Sequence, residues 1–148
     1  MRARYFFWTT FIFALDRAIK VIVSARLPLN TPIPVLKPLL YFTHIQNHGA
    51  AFGMLQHRQG ILIASGLLVL VFVWYYHDEL WSSTNGFWGS IFLVAGDLGN
   101  LIDRAFYRSV TDFIDFRIWP IFNLADICIN IGIGLVLWDF WFKRRNVS

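Results

Sequence analysis

The run at residues 60–76, GILIASGLLVLVFVWYY, carries no charged side chain and ends in Trp74-Tyr75-Tyr76. A bilayer core of roughly 30 Å needs about 20 helical residues, with a range of about 17–25. Trp and Tyr gather at membrane–water interfaces, so this segment reads as a membrane-spanning helix. Three further stretches fit that length. Residues 5–24 are interrupted by Asp16, Arg17 and Lys20; residues 87–103 carry Asp97 and Asn100; residues 122–142 carry Asn123, Asp126 and Asn130 and close with Trp138 and Trp141. The composition agrees, being 57% hydrophobic and 15% charged, where a soluble domain is about 45–50% apolar and about 25% charged. The expected fold is an all-α membrane bundle of four transmembrane helices. It forms one integral-membrane domain over residues 1–148, with a small extended or β element on the external membrane surface.

Charge gives the orientation. Arg2 and Arg4 precede the first stretch and Lys143-Arg144-Arg145 follow the last. By the positive-inside rule both termini are cytoplasmic, which four spans satisfy. The expected cytoplasmic loop at residues 77–86 has no Lys or Arg, whereas Arg26, Lys37 and Arg58 fall in the connection expected outside. The first stretch also has features of a cleaved signal peptide, but Asp16, Arg17 and Lys20 break its apolar run, and it is read as a retained span. The net charge of +4 sits mainly at the chain ends and orients the protein. No nucleic-acid partner is expected, and the chain is expected to be monomeric.

The connection at residues 25–54 contains Pro28, Pro32, Pro34 and Pro38, so its first half cannot be regular helix. Residues 39–45 suit a strand, and the small patch Gly49-Ala50-Ala51 follows. Connections longer than about 12–15 residues are uncommon and often functional. Cys128 is a lone cysteine in an apolar run, read as packing. His44, His48, His57 and His77 are scattered, and no zinc-binding pattern occurs.

Five of the nine acidic residues lie between two apolar stretches: Asp97, Asp103, Asp112, Asp115 and Asp126. A charged side chain at mid-bilayer costs roughly 2.5–3.5 kcal/mol on insertion scales, so intramembrane acids usually serve function. The pattern Asn-Leu-x-Asp occurs twice, at residues 100–103 and 123–126. Its Asn and Asp share a helix face, so two such helices would bring Asp103 and Asp126 together at the outer surface, with Arg104 balancing Asp103. Two close carboxylates share a proton, one serving as general base and the other as general acid. Spacing alone leaves three readings open: a hydrolytic dyad, an ion or proton pathway, and a structural polar network. It also leaves the pair unselected among Asp103, Asp112, Asp115 and Asp126.

Five motifs occur in order: Asp16-Arg17-Ala18-Ile19-Lys20, Asn47-His48-Gly49-Ala50-Ala51-Phe52-Gly53, Gly99-Asn100-Leu101-Ile102-Asp103-Arg104, Val110-Thr111-Asp112-Phe113 and Phe122-Asn123-Leu124-Ala125-Asp126. Together they closely resemble the lipoprotein signal peptidase (signal peptidase II) family. The resemblance implies a four-span aspartic endopeptidase of the bacterial inner membrane that needs no metal or organic cofactor. It implies, as substrate, a prolipoprotein whose cysteine already carries diacylglycerol, met within membrane lipid. It also implies that Asp112 and Asp126 are the catalytic pair, with Asp103 a supporting residue paired with Arg104 or nearby backbone. Asn100 and Asn123 would orient the site beside Ala125, and Asp16, Lys20 and Asn47 would shape the substrate site. Gly49, Ala50 and Ala51 would admit the substrate backbone, with Phe52 as an apolar wall. Two positions depart from the family pattern: Arg17, where Gln is common, and Asp97, where a small apolar residue is usual. Asp115 is the reserve candidate.

Overall fold

The computed structural model describes residues 1–50 and 54–145. Its elements run α1 (Arg2–Arg26), β1 (Pro32–Leu36), β2 (Leu40–Asn47), α2 (Gln59–Tyr75), α3 (His77–Trp81), α4 (Thr84–Tyr107), β3 (Val110–Asp115) and α5 (Leu124–Arg145). The four expected helices are present within a few residues of their expected ends. The loop expected at residues 77–86 contains the short helix α3, and the Val-Thr-Asp-Phe motif is a strand. The three strands form one antiparallel sheet in the order β1-β2-β3.

Helix α4 is the element on which the others pack, α5 most extensively and then α1 and α2. Glycines set the α4–α5 distance. A Cβ on Gly96 would lie 2.5 Å from the Ala125 carbonyl oxygen, and one on Gly132 would lie 2.7 Å from the Leu93 amide nitrogen. The helices therefore meet backbone to backbone, as small residues allow in apolar bundles. Cys128 is buried in this seam. Ser83 caps the start of α4, its Oγ accepting from the Gly86 amide at 2.9 Å. Arg108 closes α4 in a left-handed conformation (φ 57°), so that β3 begins two residues later.

The distribution of side chains is inverted relative to a water-soluble bundle. Phe6, Phe7, Phe11 and Ile22 on α1, Leu67, Leu68 and Trp74 on α2, and Leu137 and Trp141 on α5 point outwards, while Asp16, Lys20, Asn100 and Asp103 are buried. Among the described residues, one helical stretch is both long and apolar enough to cross a bilayer, Leu124–Lys143. Helix α2 is apolar throughout but has 17 residues. Helices α1 and α4 have 25 and 24 residues, yet the charged side chains they turn inwards lower their hydropathy. Hydropathy thus marks one span where four were expected.

Adding one methyl at the seam tests the packing. Gly132→Ala should lower stability by about 1–3 kcal/mol, the usual range for overpacking. Gly134→Ala meets nothing within 4 Å and should be neutral or slightly stabilising. Thermal unfolding in detergent reads both; equal effects would refute the seam.

Candidate active site

Asp126 is fixed by the way α5 begins. Asn123 precedes the helix, and its Oδ1 accepts from the Asp126 amide at 3.0 Å while Asp126 Oδ2 accepts from the Asn123 amide at 3.1 Å. This is a reciprocal capping box, with a carboxylate held at the positive end of the helix dipole. The other oxygen, Oδ1, accepts from Asn100 Nδ2 at 2.8 Å.

Asp112 arrives from the sheet. In the β2–β3 register Ile45 faces Asp112 and Asn47 faces Val110, so Asn47 and Asp112 lie on one face as diagonal neighbours. Asn47 Nδ2 donates to Asp112 Oδ2 at 2.9 Å, and Asn123 Nδ2 donates to Oδ1 at 2.6 Å. Asn47 is itself aimed by the turn after β2, its Oδ1 accepting from the Gly49 amide at 2.9 Å. Asn123 therefore touches both acids. Burial, and then the Asp126 charge, push the Asp112 carboxyl up to about 7; the amides of Asn47 and Asn123 and the Lys20 charge oppose this.

Behind the acids lies a buried charge cluster. Lys20 Nζ lies 2.9 Å from Asp16 Oδ2, 2.9 Å from Asp103 Oδ2 and 2.9 Å from Asn100 Oδ1. Asp103 also pairs with Arg17. Asp16 Oδ1 accepts from the Ala125 amide at 3.0 Å, tying α1 to the start of α5. Gly99 makes room for this, since a Cβ there would lie 2.6 Å from Asp16 Oδ2.

Several expectations need correction. Asp103 does not meet Asp126; Asn100 does. Three residues advance a helix by about 300°, so Asn100 and Asp103 diverge by about 60°, enough for Asn100 to reach α5 while Asp103 reaches α1. Asp103 is paired with Arg17 and Lys20, not Arg104. Consecutive helical residues point about 100° apart, which turns Arg104 towards Gly49, whose carbonyl oxygen lies 3.5 Å from its Nη2. Gly49 also has a reason internal to the chain: a Cβ there would lie 2.6 Å from the Met54 carbonyl oxygen. Asp115 is held apart by Thr43 Oγ1 at 2.7 Å and by the Arg117 amide at 2.8 Å. Burial alone would raise its carboxyl, but Thr43 and Arg117 together hold it below the ordinary value. Asp97 faces Gly66 on α2, away from the acids. Phe52 and Ala51 lie outside the described residues.

Asp112 and Asp126 line a cleft of about 460 Å³ with Asn47, Ala50 and Arg104. The rest of its lining is apolar except for Asn130, with Trp119, Pro120, Ile121, Phe122, Ile127 and Ile131 forming an apolar wall. No sequence expectation covers this wall, although the run Ile118-Trp119-Pro120-Ile121 before an acid-bearing helix signals it. Arg17, a departure from the family pattern, shares a helix face with Lys20 and joins its cluster. Among the described residues, no three metal-ligating side chains come together.

The signal peptidase (SPase) II family model matches residues 8–142. The chain belongs to the signal peptidase II family. It is 36% identical over 134 residues to the lipoprotein signal peptidase of Halothermothrix orenii, covering 90% of this chain and 92% of that one. The corresponding protein of Pelotomaculum thermopropionicum is 38% identical, covering 86% and 84%. A solved structure described as a bacterial membrane enzyme superposes with a TM-score of 0.86 at 26% identity, covering 99% of this chain and 92% of that one. A second of the same description gives 0.79 at 26% identity, over 93% and 92%. This member of the signal peptidase II family is accordingly a membrane protein.

The raised Asp112 value gives a stability test. Below the ordinary 3.8 the carboxyl is protonated both folded and unfolded. As pH rises towards about 7 only the unfolded chain ionises freely, so the relative stability of the fold declines through that window. Asp112→Asn, which cannot ionise, should show a shallower decline between these values in thermal unfolding. Parallel curves would contradict the raised value.

Proposed function

We propose that this chain is a membrane aspartic endopeptidase that removes the signal peptide from diacylglyceryl-modified prolipoproteins, cleaving before the lipidated cysteine. The observation that carries this is the joining of Asp112 and Asp126 through Asn123 at a cleft whose lining is otherwise largely apolar. A lipid-linked peptide needs both surfaces, one for chemistry and one for its acyl and glyceryl carbons.

Helices α1, α2, α4 and α5 are the four crossings. Their outward apolar and inward polar faces support this, since lipid can take the place of a water-excluded core. Both termini are cytoplasmic, and the sheet and cleft lie at the external face.

The pair holds one proton between two carboxylates, because two adjacent charges in a buried site are unfavourable. Asn100 and Asn123 present N–H groups to Asp126, and Asn47 and Asn123 to Asp112, so neither acid can rotate freely. The ionised member takes a proton from a water molecule as its oxygen attacks the scissile carbonyl. The protonated member donates a hydrogen bond to the carbonyl oxygen. Collapse of the tetrahedral intermediate breaks the C–N bond, and a proton passes to the leaving amine of the cysteine. The apolar wall positions the lipidated residue, converting binding into orientation.

The test is cleavage of a diacylglyceryl-modified prolipoprotein by the purified chain. Asp112→Asn and Asp126→Asn should each lower turnover by about a thousandfold or more while remaining folded. Near-normal turnover in either variant would remove that residue from the pair. Peptide-independent proton flux in vesicles would instead favour a transport role.

A further inference from the structure

The cluster behind the dyad holds a charge that positioning Asn100 alone does not require. Asp16 and Asp103 bring two negative charges to one Lys20, and all three are at most 2% exposed. With Lys20 alone the cluster would be left with net negative charge, separated from Asp126 by one amide, Asn100. Arg17 supplies the balance. Asp103 takes Lys20 on Oδ2 and Arg17 on Oδ1.

Arg17 is also the one member of this cluster that reaches solvent, with 22% of its side chain exposed. It does so through a second cavity of about 550 Å³, lined also by Gln46, Ser109 and Thr111. Asn47, Val110 and Asp112 line the first cavity, so the β2–β3 ribbon divides the two. Arg17 thus lies behind the dyad and does not line the cleft.

We propose that Arg17 is a positioning residue for the dyad: by neutralising Asp103 it leaves Lys20 donating to Asn100 Oδ1, which turns the Asn100 amide nitrogen towards Asp126 and keeps the dyad's surroundings neutral. This rests on the peptidase reading above. The charged groups around the cluster and the dyad are Asp16 and Lys20 on α1, Asp103 and Arg104 on α4, Asp112 on β3 and Asp126 on α5; the neighbouring titratable groups are Tyr107, which lines the Arg17 cavity, and Cys128, which lies near Asp16 and Asp126. Removing the Arg17 charge leaves excess negative charge beside the dyad. The dyad then holds its protons more tightly, and both limbs of the activity profile move to higher pH.

The experiment compares kcat/KM against pH for the full chain, Arg17→Gln, Arg17→Lys and the double variant Arg17→Gln/Asp103→Asn, with a diacylglyceryl-modified prolipoprotein as substrate. Arg17→Gln should move the acid limb up by about one unit, which is about a tenfold loss on the acid side. Arg17→Lys should restore the limb, because the charge returns. The double variant should also restore it, because Asp16 and Lys20 then balance. A merely structural role would lower activity equally at every pH, and unshifted limbs in folded Arg17→Gln would overturn the proposal. If Arg17→Gln does not fold, a displaced limb in the double variant overturns it instead. Absence of cleavage by the unmodified chain would defeat the peptidase reading and this inference with it, whereas cleavage with unmoved limbs defeats this inference alone.

Discussion

A buried ammonium must have its charge met within the protein. Lys20 pairs with Asp16 and Asp103 and donates to Asn100, and the last two lie on α4. Asp16 in turn receives the first turn of α5 through the Ala125 amide. One side chain therefore binds three helices at one level of the bundle. Breaking a buried pair by deleting one partner costs about 3–5 kcal/mol, since the other charge stays behind. The remaining polar contacts inherit their geometry from this point: Asn100 is oriented by Lys20, Asp126 by Asn100 and Asn123, and Asp112 by Asn123 and Asn47.

Such a knot fits only where backbones can come close. Gly99 lets Asp16 lie against α4, and Gly96 lets the start of α5 lie against the same helix one turn away. The glycine spacing and the polar network are thus one device. The first sets the distance between helices, and the second fills it with hydrogen bonds and ion pairs. Without the close approach, these groups would be unpaired in an apolar setting, where each is expensive.

The helices were legible because apolar runs of span length have few other interpretations. The polar motifs were legible because inward-facing Asn, Asp and Lys interrupt those runs. Which acids meet was not legible from spacing. Asn100 and Asp103 share a face in a coarse sense, yet the about 60° between them lets Asn100 bridge α1 and α5 while Asp103 meets α1. Asp112 was placed by resemblance, because its position depends on a strand register set by a chain segment 65 residues earlier, at Asn47. Arg17 holds the pairing with Asp103 that was expected of Arg104, for the same angular reason. The apolar wall at Trp119 and Ile121 comes from a loop whose path is set by the return from β3 to α5, where Phe122 bridges back to Ile114. No local periodicity encodes such a return.

The capping box at the start of α5 has a consequence for how the site comes into being. Asp126 is the residue whose carboxylate completes the helix end, and Asn123, its partner there, also grips Asp112. A chain that begins this helix correctly has already oriented one acid and presented the amide that receives the other. Assembly of the site is thereby written into helix initiation, and an acid serving both purposes is constrained twice over.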